Sequence, residues 1–249
     1  MRSKKAEKLK IRKSAAPALA LWALLARSSI FKILGVLMAA VCAEAILFYG
    51  NMRAQGDSDV EYRTLAAAVE SSHISLVFLA ALGFLYFVLF WTEGRLETKS
   101  GGTMRRLRLS HRQIFRIKTA YNAACLILLF AVQIWLCIWL AETHPFSRGM
   151  FLAFYRIDFL HCLLPMAETV KWVRNALLVL AFAAEAARRA GKREYVPKVL
   201  LYLLTVNWFV SSLGGNVTDW LGILLYALVI AVNLWGIYKP ERGRLTTWE

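Results

Sequence analysis

The chain has 249 residues, of which 59% are apolar and 19% charged, and its 31 Lys and Arg against 16 Asp and Glu give a net charge of +15. Soluble globular chains run at about 45–50% apolar and about 25% charged, so this chain is too greasy for that class. The same composition excludes a disordered or collagen-like polymer, and four cysteines are too few for a disulfide scaffold. A basic balance on so apolar a chain points to a membrane.

A bilayer core of about 30 Å needs about 20 helical residues to cross it. The first 30 residues form a basic tail (Lys4, Lys5, Lys8, Lys10, Arg12, Lys13) followed by apolar Ala15–Ala26. Without a small-x-small cleavage pattern, this reads as an interfacial helix opened by Pro17 rather than a signal peptide. Apolar runs then follow at Phe31–Tyr49, Ile74–Trp91 and Ala123–Leu140. Residues 166–187 give a fourth span if Lys171 and Arg174 snorkel to the interface. Val199–Leu213, extendable back to Pro197, and Trp220–Tyr238 complete the set. The outer segment 142–165 carries Phe151, Phe154, Phe159 and Leu163 at roughly helical spacing, which predicts an amphipathic helix on the outer surface or a re-entrant turn.

Charge tests this count independently, because cytoplasmic loops are enriched in Lys and Arg. With the N-terminus inside, segments 1–32, 92–118, 188–198 and 239–249 hold 9, 8, 5 and 3 basic residues, or 25 of the 31. The expected fold is therefore all-α: a polytopic membrane protein of six transmembrane helices with both termini cytoplasmic, preceded by an interfacial helix. Residues 1–30 form the tail and interfacial helix, 31–238 the six-span domain, and 239–249 a cytoplasmic tail. The sidedness of the charge removes the need for a nucleic-acid partner, leaving the bilayer of the cell membrane as the first partner.

No nucleotide-binding loop, H-E-x-x-H, C-x-x-C or G-x-S-x-G pattern occurs in the chain, so no catalytic, cofactor or metal residue is assigned. The membrane-embedded polar residues are Glu44, Gln133, Asn207 and Asn233. Amides inside spans serve mainly as hydrogen-bond glue between helices. Glu44 is balanced more evenly between the structural and functional readings, since a carboxylate near the membrane is a functional hypothesis by default. Snorkelling outward, or pairing with Arg53, is its structural alternative. Gln133 lies at a depth comparable to Glu44.

The cytoplasmic loop 92–118 is the most informative stretch. Ser100-Gly101-Gly102 breaks the chain, and Thr103 can cap a helix from Met104 that presents Arg105, Arg106, Arg108 and Arg112 beside Leu107 and Leu109. Such a helix either binds lipid headgroups or docks a protein.

Gly102-Thr103, apolar Met104 and Leu107, Ser110, Ile114-Phe115 and Lys118 resemble the loop between spans two and three of ABC-2-type exporter permeases. In outline the resemblance covers the whole chain. It implies that Thr103, Arg105, Arg106, Leu107, Arg108, Ser110 and Arg112 form a coupling loop contacted by an ABC ATPase subunit, with ATP held by that subunit and no cofactor in this chain. It also implies a second permease copy or paralogue completing the translocation path. The outer helical material differs from the family pattern: it lies between spans three and four, and the turn between spans five and six is only Gly214–Asp219. The alternative is a non-transport integral membrane scaffold or regulatory subunit.

Overall fold

The computed structural model describes residues 2–55, 69–99, 109–143, 157–165, 168–188, 195–210 and 216–238. Every regular element among them is an α-helix: α1 (Arg2–Gln55), α2 (Ile74–Lys99), α3 (His111–Glu142), α4 (Asp158–Leu163), α5 (Thr169–Ala187), α6 (Tyr195–Val210) and α7 (Asn216–Tyr238). Four stretches are long and apolar enough to cross a membrane: Pro17–Asn51, Ile74–Thr92, His111–Glu142 and Thr218–Ile237. Of the other two long helices, α5 carries Lys171, Arg174 and Glu185, and the apolar part of α6 is only Val196–Asn207.

The exterior agrees with a lipid solvent. Phe31, Ile46, Leu224, Leu228 and Trp235 all stand well exposed on α1 and α7. Apolar faces of that extent are rare on soluble monomers, and a bilayer covers them without cost. The chain is an all-helical membrane protein.

Side-chain pairs fix how the helices run. α1 and α3 are parallel, since Ser29 meets Tyr121, Glu44 meets Gln133 and Tyr49 meets Thr143 in chain order. The start of α2 returns beside the end of α1, where Asn51 donates to Ser71 at 2.6 Å. α5 runs against α3: Phe115, early in α3, packs on Ala184 and Ala187 at the end of α5 and on Ile237 at the end of α7. α5 and α7 are parallel, and α6 opposes both, with Lys198 in its first turn beside Glu185 in the last turn of α5. The six long helices therefore alternate in direction.

α5 is the most enclosed helix, packed between α3 and α7. Its run Ala181-Phe182-Ala183-Ala184-Glu185-Ala186-Ala187 is buried throughout, because alanines let two neighbouring backbones approach on opposite sides. A second centre is aromatic: Phe78 of α2 lies against Phe130, Phe159 and Phe209 at 5.3–5.8 Å between centroids.

Three expectations are corrected. α1 is one helix, not an interfacial helix followed by a separate span. No breaker lies between Ala26 and Phe31, and Ser28 and Ser29 turn their hydroxyls back onto the Leu25 carbonyl at 2.8 and 2.9 Å instead of capping a new start. Leu21 and Leu25 are already buried in the bundle, and Trp22 stacks edge-on against Tyr121. The outer amphipathic helix is, among the described residues, only α4, and it inserts Phe159, Leu160 and Leu163 into the core rather than lying on the surface. Arg174 does not snorkel: it is buried against α7.

Candidate functional site

Among the described residues, three clusters of buried polar side chains join the helices. The first joins α1 to α3. Glu44 is fully buried, and the Gln133 amide donates to its Oε2 at 2.7 Å while also reaching Cys137 Sγ at 3.7 Å. The matching depth read from the sequence is realised as a direct bond to Gln133, while the side chain of Arg53 lies outside the described residues. Glu44 Oε1 has no hydrogen-bond partner among the described residues.

The second cluster joins α5 to α7. Arg174 Nη1 donates to Asp219 Oδ1 at 2.6 Å, with both side chains 3% exposed. Arg174 Nη2 also donates to Asn175 Oδ1 at 3.1 Å, and Asn175 Nδ2 donates to the Cys162 carbonyl at 2.7 Å, which ties α4 into the same network. A desolvated ion pair holds only where such additional bonds accompany the charges.

The third cluster sits at the other end of α5. Asn233 donates to Glu185 Oε2 at 2.7 Å, and Lys198 Nζ approaches Glu185 Oε1 at 3.6 Å. That distance is an ionic contact but too long for a hydrogen bond. Lys198 Nζ also lies 4.7 Å from the centre of the Phe90 ring, within cation–π range. Tyr86 meets Phe182 nearby edge to face, with ring centroids 4.9 Å apart.

Beside this cluster a groove of about 570 Å³ opens between α2 and α6, lined chiefly by Phe84, Phe87, Phe90, Val199, Tyr202 and Lys198. Tyr202 crosses its floor: the phenol donates to the Leu79 carbonyl at 2.8 Å, and its ring lies where a side chain on Gly83 would stand. Glycine at 83 permits this approach.

Of the residues singled out from the sequence, Glu44, Gln133 and Asn233 are buried in these clusters, whereas Asn207 is exposed on α6. Thr103, Arg105, Arg106, Leu107 and Arg108 lie outside the described residues. Ser110 is the N-cap of α3: its hydroxyl accepts from the Gln113 backbone and its backbone donates to the Gln113 side chain. Arg112 is exposed in the first turn of that helix. Sequence reasoning missed Glu185, Lys198 and the Arg174–Asp219 pair. The available signal was charge inside otherwise apolar helical stretches. No family model, no curated protein and no solved structure matches the chain.

Proposed function

We propose that the chain is the permease subunit of an ATP-driven ABC-type exporter in the cell membrane. In this reading it crosses the bilayer six times with both ends cytoplasmic, and α5 and α6 complete the set of spans. It works with a separate ABC ATPase subunit and a second permease copy or paralogue. The supporting observation is geometric. Alternating helix directions put the start of α1, the end of α2, the start of α3, the end of α5, the start of α6 and the end of α7 on one side, and the stretches 1–32, 92–118, 188–198 and 239–249, which carry or adjoin those ends in sequence, hold 25 of the 31 basic residues. A single basic face suits a soluble partner that drives the spans from one side, with the loop around Arg105, Arg106, Arg108 and Arg112 as its docking point.

The alternative is a membrane scaffold without transport, and one observation favours it: the buried polar groups of all three clusters contact one another, holding helices together. Charge reversal at Arg105, Arg106 and Arg108 separates the readings. The exporter reading expects an ATPase subunit to co-purify in mild detergent with the native chain and not with the reversed variant, at equal membrane insertion. Equal recovery from both rules out docking at this loop, and no ATPase with either favours the scaffold.

A further inference from the structure

The groove between α2 and α6 combines two features that its packing alone does not require. Its length is apolar: Ala80, Phe84, Phe87, Phe90 and Val199 line it over about 15 Å of helix axis. Its lining also carries two polar groups. Lys198 and Tyr86 both line it, both are more than nine-tenths buried, and neither Lys198 Nζ nor the Tyr86 hydroxyl has a hydrogen-bond partner among the described residues. Buried donors without a hydrogen-bonded acceptor cost free energy, so two of them on side chains that line one groove point to an acceptor that belongs there.

We propose that this groove binds a phospholipid of the surrounding bilayer, with one acyl chain along α2 and the phosphate oxygens accepting from Lys198 Nζ and the Tyr86 hydroxyl. Three observations select this occupant. The exposed flanks Phe84 and Phe87 face outward from the bundle, where lipid chains lie. An ammonium has three donors, and the 3.6 Å contact with Glu185 satisfies none of them as a hydrogen bond. The stretch that precedes α6 in sequence, 188–194, holds four basic residues against one acidic, a charge balance that favours an anionic headgroup. Glu185 Oε1, also without a hydrogen-bond partner, can take a donor from the headgroup. The site does not rest on the exporter reading, only on the chain being in a membrane.

The test uses the purified full chain in mixed micelles with diazirine-tagged phosphatidylglycerol, and with diazirine-tagged diacylglycerol as the probe lacking a phosphate. Cross-linked peptides should map to 80–90 and 198–202 for the phosphate-bearing probe. Ala80→Trp, at an exposed position, should fill the groove and remove this labelling. Tyr86→Phe deletes only the hydroxyl and should raise the half-saturating phosphatidylglycerol fraction about tenfold, the value of one hydrogen bond to a charged acceptor. Neither substitution should change labelling elsewhere on the bundle. Equal labelling of these peptides by diacylglycerol, indifference to Tyr86→Phe, or labelling spread evenly over all exposed helices would overturn the proposal.

Discussion

Replacing Asp219 by Leu should be one of the most damaging single changes to the bundle. Its carboxylate and Arg174 are both 3% exposed, so neither water nor headgroups can replace a lost partner. Breaking a buried pair from one side costs about 3–5 kcal/mol, because the remaining charge stays desolvated. Arg174 keeps its 3.1 Å bond to Asn175, which puts Asp219→Leu near the lower end, at about 3 kcal/mol. Arg174→Met should cost less, at about 2 kcal/mol, because Asp219 sits in the first turn of α7 where the helix dipole favours an anion. Removing both charges together leaves an apolar contact of similar volume, so the double variant should fall within about 1 kcal/mol of the native chain. The assay is reversible unfolding in mixed micelles titrated with dodecyl sulfate, analysed as a double-mutant cycle. If the single changes each cost under about 0.5 kcal/mol, or if their effects simply add in the double variant, the pair is not energetically coupled and the account of α5–α7 packing fails.

Gly83→Ala should destabilise by about 1 kcal/mol despite alanine's better helix propensity, because the new methyl meets the Tyr202 ring at 2.7–2.9 Å and displaces the phenol from the Leu79 carbonyl. Tyr202→Phe should then cost little more in that background, and a Gly83→Ala chain more stable than the native one on thermal unfolding would show the ring has room to move. Ser110→Ala removes one half of the capping box of α3 and should speed amide exchange at Gln113 about fivefold, as loss of a cap worth about 1 kcal/mol implies; unchanged exchange there would mean that the cap does not hold the first turn.

The long apolar runs were legible because membrane-spanning helices advertise themselves through length and the absence of charge. The Glu44–Gln133 contact was partly legible too, since equal depth in two spans is a one-dimensional property. Helix continuity at Ser28-Ser29 was not, because the same hydroxyls can begin a helix or bond back within one, and only the packing of Leu21 and Leu25 decides between these. Arg174 illustrates the larger difficulty. An arginine near the end of an apolar stretch reads as interfacial until its partner is known, and Asp219 stands 45 residues further along in another helix. Glu185 and Lys198 posed the same problem, since the meeting of the end of α5 with the start of α6 depends on a turn whose geometry the sequence does not state.

The spacing of the two contacts between α5 and α7 has a mechanical consequence. Arg174–Asp219 and Glu185–Asn233 lie at opposite ends of the shared length, separated by about 16 Å along α5 and about 21 Å along α7. Sliding one helix past the other by a single turn, about 5.4 Å, would tear both bonds in the same instant. The pair can tilt or travel as a beam, but it cannot shear. Among the described residues, the α2–α6 side is joined by one hydrogen bond, from the Tyr202 phenol, beside the softer ring contacts Phe78–Phe209 and Lys198–Phe90. Any working stroke of this molecule has its stiff member in α5 and α7 and its compliant joint where α2 faces α6.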